Sequence, residues 1–175
     1  MLGLYLAARS DRHLDFNIIY NDIDTRFNCD ITCDMLAVNL DDYDFLIATP
    51  PCNYYSRCNY RREVSSYALS TKHLLPCIIE KFALTHKPFI IENVRNEKLF
   101  LKEGIFNICD KYNINVYFLG RHTYFTNVFI NLYCKQEFDF YNHGIRRHPN
   151  IQGGNNVHNV IEIWLKYLFE TVFMV

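Results

Sequence analysis

Short apolar runs alternate along the chain with longer stretches whose apolar residues recur at helical spacing. Phe16–Tyr20, Tyr43–Ala48, Pro88–Ile91 and Ile114–Leu119 have strand length; Cys29–Thr32 reads as a short strand end and Tyr124–Leu132 as a further, aromatic strand. Leu74, Leu75, Ile78, Ile79, Phe82 and Ala83 line one face of a helix over Leu69–Thr85. Glu97–Tyr112 predicts a second amphipathic helix. Val160, Ile161, Trp164, Leu165, Leu168 and Phe169 predict a closing helix over Val157–Phe173. Leu2–Ala8 reads as the back half of a helix ended by the polar run Arg9–His13. Met35–Leu40 reads as a linker or helical turn, and Arg57–Ser66 and Gly144–Asn156 as loops. Strands that alternate with helices imply an α/β fold with a largely parallel sheet, and residues 1–175 are expected to form one domain.

Composition narrows the function classes. The 175 residues are 50% hydrophobic and 16% aromatic with a net charge of −1, so any nucleic-acid contact must come from a local basic patch. The seven cysteines are odd in number and form no Cys-x-x-Cys pair, which argues against zinc. With no signal peptide and no apolar run of about 18 residues, a membrane span is not expected and a reduced, cytoplasmic setting is.

Chemistry-bearing residues collect at strand ends. Phe45–Ala48 runs into Thr49-Pro50-Pro51-Cys52, and two prolines cannot continue a ladder, so Cys52 is expected on a stiff loop just past a strand's carboxyl end. Ligands of open α/β sheets bind at that edge. Glu92 ends the apolar strand Phe89-Ile90-Ile91 and faces the same edge. A thiol beside a proton-sharing carboxyl suits covalent attack on an electrophilic ring. Asp22 closes one strand and Asp30 follows the next, where carboxylates take ribose hydroxyls or an adenine amino group; Asp is also common in strand-to-loop turns.

Several motifs together resemble the C5-cytosine DNA methyltransferases. Pro50-Pro51-Cys52-Asn53-Tyr54-Tyr55-Ser56 resembles their Pro-Cys-Gln-x-Phe-Ser loop, and Phe89-Ile90-Ile91-Glu92-Asn93-Val94 their Glu-Asn-Val strand. Gly120-Arg121-His122-Thr123-Tyr124-Phe125 resembles their Arg-containing motif, with compact phage-encoded members closer still. Gln152-Gly153-Gly154-Asn155-Asn156-Val157 resembles the Gly-Asn-Ser-Val motif before the last helix. The likeness runs over about residues 16–170 in the family's order. It implies a Rossmann-like S-adenosylmethionine-dependent fold in which Cys52 attacks C6 of a flipped cytosine in DNA and Glu92 bonds N3 and the exocyclic amine. Arg121 would help to hold the base or the cysteine loop. Asp22, Ile23, Asp30, Ile31, Pro50 and Asn155 would contact S-adenosylmethionine, and Ser56 and Thr123 the DNA. A viral origin would place the protein in host cytoplasm.

Four departures stand out. With Met1–Ala8 read as the family's first helix, the first strand and its Gly-rich turn are expected to be missing, and a second chain would be one source of the missing strand. Thr123 replaces a second arginine, Asn53 replaces glutamine, and only about two dozen residues stand where a target-recognition domain is usual. For DNA contact, Arg57, Arg61 and Arg62 interleave with Tyr54, Tyr55 and Tyr60, a mix suited to phosphates and base stacking, and Arg146, Arg147 and His148 form a second cluster. An enzyme, a DNA- or partner-binding remnant, and one subunit of a split enzyme all remain open at this point.

Overall fold

The computed structural model describes residues 1–9, 14–128 and 154–171, with side chains in the last segment from residue 160 onward. Seven strands form one sheet: β1 (Gly3–Leu6), β2 (Ile18–Asp22), β3 (Ile31–Thr32), β4 (Phe45–Ala48), β5 (Phe89–Val94), β6 (Asn115–Leu119) and β7 (His122–Thr126). Their order is β3-β2-β1-β4-β5-β7-β6. The strands from β3 across to β5 pair in parallel, and β7 alone runs antiparallel to both of its neighbours. This is a Rossmann-like α/β sheet, as the alternation of strands and helices predicts.

The first strand is present, which corrects the expectation that it is missing. Gly3–Leu6 lies at the centre of the sheet, with Tyr5 opposite Tyr20 on one side and Ile47 on the other. All four of its residues are buried. Four consecutive apolar residues carry no periodicity that separates a buried strand from a buried helix, and burial on both faces removes the alternation that marks an exposed strand. The absence of a Gly-rich turn does hold in the sequence: β1 runs into Ala7-Ala8-Arg9.

The helices are α1 (Ser66–Thr71), α2 (Leu74–Ala83), α3 (Glu97–Lys102), α4 (Ile105–Lys111) and α5 (Gly154–Thr171). Two expected helices are each divided. Leu69–Thr85 divides ahead of α2, whose Pro76 sits in its first turn, where a missing N–H costs nothing. Glu97–Tyr112 divides at Gly104, whose φ of +70° is left-handed and ends α3. Gly120 (φ +58°) and Arg121 form the two-residue turn of the β6–β7 hairpin. The expected Tyr124–Leu132 strand corresponds to β7; its residues past 128 lie outside the described residues.

Side chains of the central strands alternate between two cores. Leu4, Leu6, Leu46, Ala48, Phe89 and Ile91 pack under α2, α3 and α4. Tyr5, Phe45, Ile47, Ile90 and Tyr124 pack against Ile161, Trp164, Leu165 and Leu168 of α5. Each fully buried Leu, Ile or Phe contributes about 1.5–3 kcal/mol. Trp164 Nε1 donates to Thr126 Oγ1 at 3.2 Å, which satisfies the indole inside the second core and fixes α5 on the sheet.

Candidate active site at the carboxyl edge of β4 and β5

β4 ends at Ala48, and Thr49 fixes the start of the cysteine loop to β1. Its N–H donates to Leu6 O at 3.1 Å and its Oγ1 to Ala7 O at 2.8 Å. Two asparagines from the end of β5 then hold the loop on either side of Cys52. Asn93 Nδ2 donates to Pro50 O at 3.1 Å, and Asn96 Nδ2 to Tyr55 O at 2.7 Å. Both asparagines are buried, so these bonds form away from competing water. Tyr54 and Tyr55 are fully buried beneath the loop. The Tyr54 hydroxyl donates to Glu103 Oε1 at 2.8 Å and the Tyr55 hydroxyl to Lys72 O at 3.1 Å. They anchor the loop in the core, which corrects their reading as stacking platforms for DNA. Cys52 is left half-buried, its carbonyl accepting from Ser56 N at 2.8 Å.

Glu92 lies on the next parallel strand, where Ala48 pairs with Ile91. Its side chain is 12% exposed, and Oε1 is hydrogen-bonded to His122 Nδ1 at 2.6 Å. Burial first, and then the Glu92 carboxylate, push the Cys52 thiol above its ordinary range; a backbone hydrogen bond and then the Arg9 cation pull the other way. Burial, with Glu92 and Tyr5, pushes the Tyr124 phenol well above its own. Glu92 therefore acts electrostatically on both Cys52 and Tyr124, on the sheet face that Tyr5 and α5 share. The thiol at rest is protonated and must shed its proton to act as a nucleophile.

The arginine-containing segment is arranged differently from the expectation. Glu92 pairs with Tyr124, Asn93 with Thr123 and Val94 with His122. His122, Tyr124 and Glu92 therefore share one face, and Thr123 points with Asn93 to the other. Thr123 is fully buried with no hydrogen-bond partner for its Oγ1, so its expected DNA contact is corrected: it cannot reach a nucleic acid from there. Arg121 is exposed in the hairpin turn, its carbonyl accepting from Arg95 N at 2.7 Å. His122 is the basic side chain that reaches Glu92. The sequence alone does not single it out, because which residue of Arg-His-Thr faces Glu92 depends on the β5–β7 register. Arg9 gives no signal either, because it lies just past a strand whose sequence reads as helix.

Of the residues expected to meet DNA, Arg57 and Arg61 are exposed, Tyr60 is 93% exposed and Ser56 is half-buried. Arg62 is turned inward, with Nε donating to Asn59 O at 3.1 Å and Nη2 to Ser56 O at 2.7 Å. Arg146, Arg147 and His148 lie outside the described residues, and Asn155 is described only as backbone in the first turn of α5.

Of the residues named for S-adenosylmethionine, Asp22 and Asp30 have their carboxylates engaged within the chain. Asp22, 7% exposed, accepts from Arg9 N at 3.0 Å on Oδ2 and from Asp24 N at 2.9 Å on Oδ1, so its carboxylate closes the chain's own turns. Asp30 precedes β3 and accepts from Tyr20 N at 2.8 Å, away from the carboxyl edge. Ile31 is half-buried in β3, Ile23 is 70% exposed, and the Pro50 carbonyl is occupied by Asn93. After β1, Ala7 and Arg9 adopt φ of +54° and +53°, the region where glycine is at ease.

No protein-family model matches the sequence, and no curated protein matches it. Among solved structures, the chain is similar to the Dnmt2 methyltransferase of S. pombe, at 14% identity over 72% of this chain and 50% of that one, with a TM-score of 0.42. The chain thus spans about half the length of that structure.

Proposed function

We propose that this chain is a methyltransferase-type enzyme of the C5-cytosine class, acting on a cytosine flipped out of DNA. The observation that carries the proposal is that Cys52 follows the carboxyl end of β4 while Glu92 sits near the carboxyl end of the adjacent parallel strand β5, with the Cys52 loop held on both sides by Asn93 and Asn96. Flipping is required because C5 and C6 are out of reach inside a stacked duplex. Cys52, once deprotonated, bonds through Sγ to C6. The displaced ring electrons collect toward N3, where Glu92, having first taken up a proton from solvent, hands it on and returns to the carboxylate, and C5 becomes nucleophilic. Once C5 is substituted, the N3 proton returns to Glu92, the C5 proton leaves to solvent, and expulsion of Cys52 as its thiolate restores the aromatic ring. The low exposure of Glu92 keeps bulk water from competing for the proton that passes to the ring. The methyl donor implied by the resemblance is S-adenosylmethionine, and the edge of β1 and β2 is the part of the chain least suited to it.

The test is a denaturing gel of the whole chain with an oligonucleotide carrying 5-fluorocytosine and S-adenosylmethionine. A slower band, absent from Cys52→Ser, is expected. No adduct from folded protein overturns the reading.

One observation favours a second reading, a DNA- or partner-binding domain that holds no cofactor: the Asp22 carboxylate is engaged by Arg9 and Asp24. Calorimetry with S-adenosylmethionine separates the two. Micromolar binding counts against the second reading; undetectable binding, with DNA affinity kept in Cys52→Ser, supports it.

A further inference from the structure

We infer that His122 is the positioning residue of Glu92, resting on the base chemistry proposed above. Nδ1 lies 2.6 Å from Oε1, within the range of charge-assisted hydrogen bonds, and an ionised Glu92, which can only accept, makes Nδ1 the donor. A bond to one carboxylate oxygen fixes the plane of the group and leaves Oε2 as the oxygen for a pyrimidine ring.

The surroundings hold both partners still. His122 opens β7 straight after the Gly120-Arg121 turn, and Arg95 N–H ties that turn back to the end of β5 through Arg121 O. Glu92 and His122 occupy one sheet face two ladder positions apart, a diagonal that long side chains span. Tyr124, directly opposite Glu92, is 2% exposed, and its ring lies 6.5 Å from the imidazole at a 40° tilt. A neutral phenol there adds no charge that competes with the carboxyl for the imidazole N–H. A site of this kind works only when a second layer holds the reacting group in register.

The bond specifies a tautomer. A neutral His122 that donates to Glu92 must carry its proton on Nδ1. Nitrogen-detected NMR of the whole chain reads this without substrate. The expected result is an Nδ1–H signal for His122 that reverts to Nε2–H in Glu92→Leu. An Nε2–H tautomer in the wild-type chain overturns the inference.

The second measurement is the rate of adduct formation with 5-fluorocytosine DNA. His122→Phe is expected to slow it about ten- to a hundred-fold, the effect of removing one hydrogen bond to a charged group, with DNA affinity kept. His122→Asn places an amide N–H near the Nδ1 position and is expected to recover most of the rate. Equal rates for wild type and His122→Phe overturn the inference. If the wild-type chain forms no adduct, the proposed function fails, and the tautomer alone decides the role of His122.

Discussion

Asn93 reaches from β5 to the carbonyl of Pro50 and so ties the strand that carries Glu92 to the loop that carries Cys52. Its other amide atom, Oδ1, accepts from Val94 N at 3.0 Å, so both ends of a fully buried side chain are used. Asn93→Ala strands a carbonyl and an N–H in the interior. A loss of about 1–3 kcal/mol is expected, measurable by urea unfolding. Adduct formation should fall further than stability does, because the loop keeps only one of its two clamps. A variant with wild-type stability would rule out the clamp.

Glu92 also sets the reactivity of Cys52. Burial and the carboxylate both push the thiol up, and Glu92→Gln removes the second of these while the downward pull of a backbone hydrogen bond and of Arg9 remains. The thiolate fraction at neutral pH should rise, and with it the rate at which iodoacetamide labels Cys52, followed by mass spectrometry of the Cys52 peptide. Cys58, which is exposed, serves as the internal reference. An unchanged Cys52 rate would show that Glu92 does not act on the thiol.

The chemistry is more legible in the sequence than the sheet that supports it. Pro50 and Pro51 end a strand by local sterics, so the position of Cys52 follows from a few residues, as does that of Glu92 at the end of an apolar run. What a residue faces depends on register, and register is a property of two strands. His122 therefore looks incidental beside Arg121 and Thr123 until β7 is paired with β5. Tyr54, Tyr55 and Arg62 share the polar-aromatic pattern of Arg57 and Tyr60, yet the first three turn inward. The central strand β1 is hidden by its own burial, since a run buried on both faces shows no alternation.

The loop's anchor should make stability depend on pH at both ends. Burial alone would raise the Glu103 pKa, but bonds from Lys72 and Tyr54 outweigh it and hold the carboxyl below its usual range. A depressed folded value means a contribution that is full above the ordinary carboxylate range and lost as pH falls through the folded value. Lys72, 2.5 Å from Glu103 Oε2, is raised chiefly by that bond, so its contribution is full below the ordinary lysine range and lost as pH rises through the raised value. Urea midpoints should fall toward acid in the wild type and less steeply in Glu103→Gln. Parallel acid limbs would mean the pair contributes nothing.

Gly3 tests the placement of β1 directly. A Cβ there would run into the Phe45 ring, and that ring is fully buried with Phe169 at 5.8 Å, edge-on. Gly3→Ala must displace that buried ring, and overpacking of this kind costs about 1–3 kcal/mol. Urea unfolding reads that loss. A neutral or stabilising Gly3→Ala would argue against β1 in its central register, because alanine is otherwise favoured over glycine by chain entropy.

The arginines after Cys52 divide by what they touch. Arg57 and Arg61 are exposed and suited to phosphates; Arg62 spends its guanidinium on Ser56 O and Asn59 O. If the loop meets DNA, the double variant Arg57→Ala/Arg61→Ala should weaken binding uniformly across sequences. It should also lower the salt-dependence slope by about 2, one for each phosphate that an arginine no longer neutralises. Arg62→Ala should act through the fold instead, at about 1 kcal/mol in urea unfolding for a half-buried pair of bonds, with the salt slope little changed. Fluorescence anisotropy over a salt series distinguishes the two classes. A slope that falls with Arg62→Ala and not with the double variant would place the DNA on the opposite side of the loop.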